Sequence, residues 1–166
     1  MKEIFERRSV REFTDQPVEP EKVEQLLRAG MQAPSAGNQQ PWEFVVVDDP
    51  ALKDALCEAS PYTGPLKRAP LGIVVLARTF GLRFPEDVQS DLSAVTQNIL
   101  LEAVSLGLGA CWLGIFPIRE RMDVITQALA LPAEVEPFSM IAIGYPATQA
   151  GATPRFDPDR VHTNGY

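Results

Sequence analysis

The sequence is poor in the residues on which most side-chain catalysis depends. Its 166 residues include one histidine, His162, and two widely separated cysteines, Cys57 and Cys111. A catalytic triad or a multi-histidine metal site would have to be built around that single histidine. The sequence contains no C-x-x-C, H-E-x-x-H, Walker A or G-x-G-x-x-G motif, and its carboxylates are scattered. If the protein is an enzyme, we therefore expect a bound cofactor, rather than side chains, to provide the bond-making chemistry.

Long apolar runs are also absent, and so is an excess of positive charge. No uninterrupted apolar stretch approaches the roughly 18 residues that span a bilayer, and the N-terminal M-K-E-I-F-E-R-R has no signal-peptide core. Two separated cysteines without a secretion signal are typical of a reduced, cytoplasmic protein, and Cys111 fits inert packing better than a nucleophile. The net charge of −7 disfavours a nucleic-acid surface because the phosphates would be repelled. We predict neither a membrane nor a nucleic-acid partner.

Length and hydrophobic patterning predict one α+β (mixed α/β) domain over residues 1–166. A near-continuous apolar strand at 71–77 is predicted to lie centrally in the sheet, covered on both faces. A helix over 85–106 is apolar on most sides, so it is buried either in the core or at a subunit interface. Gly107 or Gly109 is its expected C-terminal cap. Further predictions are helices at 4–8, from Pro20 to Pro34, from Asp49-Pro50 to Ala59 and at 117–130, strands at 42–48, 111–115 and 138–145, a loop over 60–70 and an extended tail from 146.

Three arginines and a hydroxyl stand close together near the N-terminus, in an otherwise acidic chain. Arg7, Arg8, Ser9 and Arg11 fall within five positions of one another. Guanidinium groups bind phosphate oxygens in planar, bidentate geometry, so this cluster can surround a phosphate and leave one cation for another task. A solvated basic turn is the alternative that this motif alone leaves open.

The stretch P-S-A-G-N-Q-Q-P-W at 34–42 is uncharged up to its tryptophan and is rich in small residues and side-chain amides. Its small residues allow backbone to approach a flat ligand, and its amide side chains offer both donors and acceptors. An ordinary helix-to-strand loop is the alternative. Gly114 in L-G-I at 113–115 is open to the same two interpretations, as a point where a ligand touches the backbone or as a packing accommodation.

Taken in order, these motifs resemble the nitroreductase-like FMN-dependent oxidoreductase family. The resemblance runs through E-R-R-S-V-R-E-F, A-P-S-A-G-N-Q-Q-P-W-E-F-V-V-V, the segment from D-L-S-A-V-T-Q-N to C-W-L-G-I-F-P, I-A-I-G-Y-P and R-F-D-P-D-R-V-H. It covers essentially the whole chain, and its length suggests a compact member without the longer excursions that roof the active site in larger relatives. It implies a homodimer with a central mixed sheet wrapped by helices. Helix 85–106 would be the dimer helix, and the C-terminal arm would be exchanged with the partner.

The resemblance also implies the site residues. Arg7, Arg8, Ser9 and Arg155 would hold the FMN phosphate and ribityl end, and Arg11 would reach the pyrimidine side of the ring. Leu113 and Gly114 would pass along the ring near N5. The residues contributed by the other subunit would be Pro34, Ser35, Ala36, Asn38 and Gln40. The division of contacts among the three arginines is open, and Tyr166 stands where many relatives have an aromatic such as tryptophan.

The chemistry implied by the resemblance is ping-pong hydride transfer from NADH or NADPH through flavin N5. The acceptors would be small and flat, such as nitroaromatics or quinones, and no catalytic side chain and no metal are required. Two alternatives remain. One is a divergent flavoenzyme of the same fold, with dehalogenating or flavin-modifying chemistry; the other is a flavin-binding module without NAD(P)H turnover. The rate at which NADH or NADPH bleaches a bound flavin distinguishes them.

Overall fold

The computed structural model describes residues 2–148, 151 and 153–166. Residue 1 of the predicted domain and residues 149, 150 and 152 of the predicted arm lie outside them. The helices are α1 (Glu3–Glu6), α2 (Pro20–Met31), α3 (Pro50–Cys57), α4 (Gly64–Arg68), α5 (Val88–Ser105) and α6 (Arg119–Ala128). The strands are β1 (Trp42–Val47), β2 (Leu71–Arg78), β3 (Gly109–Gly114) and β4 (Val135–Gly144). Short 3₁₀ turns occupy Ala36–Asn38, Pro85–Asp87 and Pro158–Arg160.

The sheet has the strand order β1-β2-β4-β3, with helices on both faces. Alternate residues of β2 enter different cores because successive side chains of a strand point to opposite faces. Ile73 and Val75 pack with α2 and α5, whereas Val74 and Leu76 pack with α3, α4 and α6. The prediction that the strand at 71–77 is central and covered on both faces is confirmed.

The sheet expected to be mixed is antiparallel in all its described strand pairs. The parallel pairing among the described residues is the isolated bridge between Ser9 and Ala110. Burial on both faces makes a strand apolar whichever way its neighbours run, so the hydrophobic pattern did not carry the direction of pairing. The α+β fold class itself is confirmed.

The stretch 60–70, predicted to be a loop, contains α4. Two of its prolines lie at the ends of this helix, where proline is compatible with helical structure. Pro65 lies in the first turn, where a missing N–H costs no hydrogen bond. Pro70 follows Ala69, whose extended conformation is the one favoured before proline. The loop prediction was wrong here because it counted prolines without regard to their positions.

The capping residues identified in the sequence correctly predict the start of α3 and the end of α5. The Asp49 carboxylate accepts a hydrogen bond from the Leu52 N–H at 2.7 Å and caps α3. At the end of α5, the N–H of Gly107 donates to Val104 and that of Leu108 to Ala103, with Gly107 at φ +74°. This is a Schellman motif, which confirms Gly107 as the C-terminal glycine. Five helices are shorter than predicted: α1 ends at Glu6, α2 at Met31 and α3 at Cys57. Helix α5 covers Val88–Ser105, and α6 begins at Arg119 rather than at Pro117.

Among the described helices, none combines the length and hydrophobicity that a transmembrane span needs.

Candidate functional site

The predicted basic cluster lies in the extended segment that follows α1, against the start of β3. Ser9 bridges Ala110, and the Val10 N–H donates to the Ala110 carbonyl at 3.0 Å. Gly109 allows this close approach, because a Cβ there would lie 2.7 Å from the Cβ of Val10. The sheet therefore fixes the backbone that carries Arg7 to Arg11.

Arg8 is half-buried and held by main-chain carbonyls. Its Nη1 donates to Phe5 and Arg7, and its Nε donates to Gly151 at 3.2 Å. Its Nη2 is buried and has no hydrogen-bond partner in the part of the chain that the structure describes. A buried guanidinium N–H without an acceptor is unfavourable, so the geometry suits an acceptor from a bound ligand.

Arg155 is brought to the same place from the C-terminal tail. It lines a cleft of about 370 Å³ together with Arg7, Arg8, Phe5 and Phe156. No acidic residue is among those that line this cleft. Three guanidinium groups without a carboxylate produce a positive field that attracts a phosphate.

Arg11 points away from that cleft, towards β3. It is exposed, and its Nη1 donates to the Ser9 carbonyl at 3.2 Å. Burial raises the pKa of the Cys111 thiol, and the nearby positive charge of Arg11 partly opposes that rise. Cys111 is therefore a protonated packing residue near neutral pH, and Arg11 supplies a cation beside β3.

Leu113 and Gly114, the last two residues of β3, differ in solvent exposure. The Leu113 side chain is buried in the core, so only its backbone is available to a ligand. Gly114 is exposed, and a Cβ built on it would meet nothing within 4 Å. Its carbonyl accepts a hydrogen bond from Arg121 Nη1 at 2.8 Å. The described residues give no support to the packing explanation of this glycine, and the strand end offers a bare, fixed backbone surface.

The loop with Pro34, Ser35, Ala36, Asn38 and Gln40 is braced by a buried carboxylate. Asp91 of α5 accepts from the Ala36 N–H at 2.9 Å and from Gln39 Nε2 at 2.8 Å. Ser35 Oγ accepts from the Gln40 N–H at 3.0 Å. Gly37, Asn38 and Gln40 have positive φ angles of 54°, 53° and 47°. The side chains of Asn38 and Gln40 stay exposed on a loop that is held in one shape.

The structure joins the candidate residues into two groups. The first comprises the N-terminal arginines and Arg155 beside the start of β3, the strand that ends with Leu113 and Gly114. The second is the loop 34–40 beside the first turns of α5. No hydrogen bond or ion pair of residues 2–148, 151 and 153–166 links the groups. Sequence reasoning missed Asp91 and Gln39, which hold the second group. An aspartate directly before Leu92, at the start of the apolar pattern of α5, was the available signal.

Together, these features define an α+β protein with a cationic, phosphate-compatible cleft and a braced polar loop. The family model described as Nitroreductase family matches residues 4–79 and 61–145. The chain belongs to the nitroreductase family.

Individual relatives agree with this assignment. A protein of Archaeoglobus fulgidus, provisionally named NADH dehydrogenase/NAD(P)H nitroreductase, is 41% identical over 98% of this chain and 95% of its own. The crystal structure of a protein of Clostridium acetobutylicum, provisionally named NADH oxidase, matches with a TM-score of 0.96 and 46% identity over 99% of each chain. A nitroreductase-like protein of Desulfovibrio desulfuricans, solved in complex with FMN, matches with a TM-score of 0.86 and 33% identity over 99% of this chain and 96% of its own.

Proposed function

We propose that the protein is an FMN-dependent NAD(P)H oxidoreductase that reduces small flat acceptors such as nitroaromatics and quinones. The observation that carries the proposal is Arg8, which lines a cleft with Arg7 and Arg155 and whose buried Nη2 has no acceptor among the described residues. Membership of the nitroreductase family and the FMN complex of the Desulfovibrio desulfuricans relative support it. Residues 1–166 would act as one FMN-binding domain.

The donor set fits FMN. Arg7, Arg8, Ser9 and Arg155 would hold the phosphate, whose charge the acid-free cleft matches. Gly114 has space for a planar ring to lie against its backbone. When bound, FMN supplies a hydride acceptor at N5, through which NADH or NADPH is oxidised and a second substrate reduced in ping-pong order.

The chain's own residues would position and tune this chemistry. Arg11 would place a positive charge at the pyrimidine edge, where negative charge develops on reduction, and so favour the reduced state. Leu113 and Gly114 would fix the ring by their backbone. No side chain of the site is required to exchange a proton with the substrate, in agreement with the scarcity of histidine.

We infer further that the active unit is a homodimer. Loop 34–40 is separate from the arginine group within one chain, so a second chain would supply it to complete the site. Apolar side chains that a partner would cover are exposed on α1 and the tail, with Ile4 at 48%, Phe5 at 71% and Phe156 at 82% exposure. In this proposal α5 is the dimer helix, and the C-terminal arm crosses to the partner. A cytoplasmic location suits both the supply of NAD(P)H and the free thiols of Cys57 and Cys111.

An anaerobic spectral titration tests the proposal. The purified protein should show flavin absorption bands, before or after incubation with FMN, and NADH or NADPH should bleach them within seconds. A yellow protein that neither dinucleotide bleaches would be a flavin-binding module or a divergent flavoenzyme. A colourless protein that does not take up FMN would refute the proposal altogether.

A further inference from the structure

The segment between β2 and α5 contains an aromatic ring and a cation that the functions above do not use. Phe84 is tied to loop 34–40 by a reciprocal pair of hydrogen bonds. Gln39 Nε2 donates to the Phe84 carbonyl at 2.9 Å, and the Phe84 N–H donates to Gln39 Oε1 at 3.1 Å. Because the same Gln39 amide also donates to the buried Asp91, the loop and the segment behave as one unit.

The Phe84 ring lies directly on the backbone of that loop. A Cβ on Gly37, which has φ +54°, would be 2.6 Å from the ring. Arg78 Nη2 reinforces the junction by donating to the Gln39 carbonyl at 3.1 Å. Phe84 is therefore fixed beside Gly37 and Gln39, the neighbours of the exposed Asn38 and Gln40 in the chain.

Arg83 places a positive charge over this ring. Its guanidinium carbon is 5.1 Å from the Phe84 ring centroid, and the residue is exposed. Glu86 and Asp87 follow closely, yet the ion pairs of the described residues do not include Arg83. The cation is thus held by the aromatic face and remains available to an anion.

We propose that Arg83 and Phe84 form an acceptor subsite for flat aromatic substrates that carry a negative group. The proposal rests on the proposed function, in which loop 34–40 lies over the flavin of the partner. A planar acceptor there contacts the edge of the Phe84 ring, and its carboxylate or sulfonate pairs with the guanidinium of Arg83. Without this local cation, a protein with a net charge of −7 would repel such substrates.

Two acceptors of the same shape and different charge test the subsite. The holoenzyme is assayed with para-nitrobenzoate and para-nitrobenzamide, and binding of each to the oxidised protein is measured by flavin absorbance without NAD(P)H. Arg83→Gln should raise KM and Kd for the benzoate about five-fold, as expected for one solvent-exposed charge pair. The values for the benzamide should change less than two-fold, and flavin content should not change.

The control is Arg28→Gln, which removes the same charge from the exposed face of α2, where Arg28 pairs with Glu24 at 2.6 Å. Arg28→Gln should leave KM and Kd unchanged for both acceptors. An equal effect of Arg83→Gln on the two acceptors, or none on the benzoate, would overturn the subsite. If the wild-type protein holds no flavin, or NAD(P)H fails to bleach it, the proposed function fails and the subsite fails with it.

Trypsin provides a readout that does not depend on activity. It cleaves after arginine, so the bond after Arg83 reports how firmly the segment is held. Gln39→Leu should speed cleavage there several-fold in the protein without substrates, because both hydrogen bonds to Phe84 are lost. In the wild-type holoprotein, para-nitrobenzoate should slow that cleavage more than para-nitrobenzamide does. Identical cleavage in the two proteins would show that Gln39 does not tie the segment to the loop.

Discussion

At the scale of the residue, Arg8 has more hydrogen-bonding capacity than its own chain uses. Three main-chain carbonyls hold two of its nitrogens, and the third nitrogen is buried without an acceptor in the described structure. Charged hydrogen bonds to phosphate are among the stronger polar contacts in proteins. Arg8 is therefore the residue whose loss should affect phosphate binding most directly.

Replacing Arg8 by alanine should weaken FMN retention more than folding. Loss of charged hydrogen bonds to the phosphate should raise the Kd for FMN by about 10- to 100-fold, whereas the free energy of unfolding should fall by about 1–2 kcal/mol. Fluorescence titration with FMN and urea unfolding of the apoprotein measure the two effects. Arg28→Ala removes an exposed arginine of α2 that does not line the cleft, and it is the control. Unchanged flavin content in Arg8→Ala would refute the phosphate assignment.

Gly114 allows a steric probe that should not disturb the protein itself. A methyl group at this position meets nothing within 4 Å, so Gly114→Ala should leave the melting temperature unchanged. If the flavin ring lies on this backbone, the methyl group should reduce FMN affinity by about ten-fold through overlap with the ring. The control Gly165→Ala, at another open position in the tail, should change neither the melting temperature nor the affinity for FMN. Equal FMN affinities in wild type and Gly114→Ala would place the ring elsewhere.

At the scale of the element, α5 organises the half of the site that lies on loop 34–40. Asp91 is 5% exposed in the first turn of this helix and accepts hydrogen bonds from a main-chain N–H and a side-chain amide of the loop. Because the loop contains three residues with positive φ, its shape depends on this brace more than on backbone preference. The buried carboxylate is thus a positioning residue for the loop.

Asp91→Asn tests the brace while preserving the size of the side chain. An amide turns one of the two acceptor oxygens into a donor and sets it against an N–H donor, which should cost about 1–3 kcal/mol of stability. FMN should also dissociate faster, because the loop is no longer held in one shape. Urea unfolding and flavin release by fluorescence measure both. Asp123→Asn on the exposed face of α6 is the matched control, and a result identical to it would exclude a bracing role.

At the scale of the whole molecule, one chain carries both groups of the site without bringing them together. The arginine group lies at the start of β3, and the loop lies beside the first turns of α5. The exposed Ile4 of α1 and the half-buried Leu101 of α5 line one groove on the surface. A second copy that covers this surface would complete two sites at once.

Leu101→Arg should therefore separate the subunits and release FMN together. A charged side chain in an apolar interface is costly to desolvate, so the variant should run as a monomer in analytical ultracentrifugation. Its far-ultraviolet circular dichroism should remain native, because Leu101 is not in the fully buried core. Ala51→Arg on the exposed side of α3 adds the same charge and should remain dimeric and yellow. A Leu101→Arg monomer that retains FMN would show that one chain suffices.

Much of the fold was predictable because its signals are local. The Asp49 cap, the glycine after α5 and the apolar run of β2 each act within a few residues, and all three predictions are confirmed. The helix α4 was missed because its prolines were read as loop residues. The mixed sheet was implied by the family resemblance, whereas the described strand pairs are antiparallel. The hydrophobic pattern could not test that implication, because two-sided burial looks the same in parallel and antiparallel sheets.

The sequence by itself determined the approximate positions of most helices and of all four strands, and its scarcity of histidine favoured cofactor chemistry. Only the tertiary structure decided which residues share a site. The Asp91 brace joins residues 55 positions apart, and the cleft brings the tail residue Arg155 to Arg7 and Arg8 near the N-terminus. These long-range contacts form because packing of the core offsets the entropic cost of closing long loops. A short window of sequence does not contain both contributions, so it cannot predict the contact. The motif P-S-A-G-N-Q-Q-P-W thus specified a polar loop, while packing against α5 and Phe84 determined its shape and its neighbours.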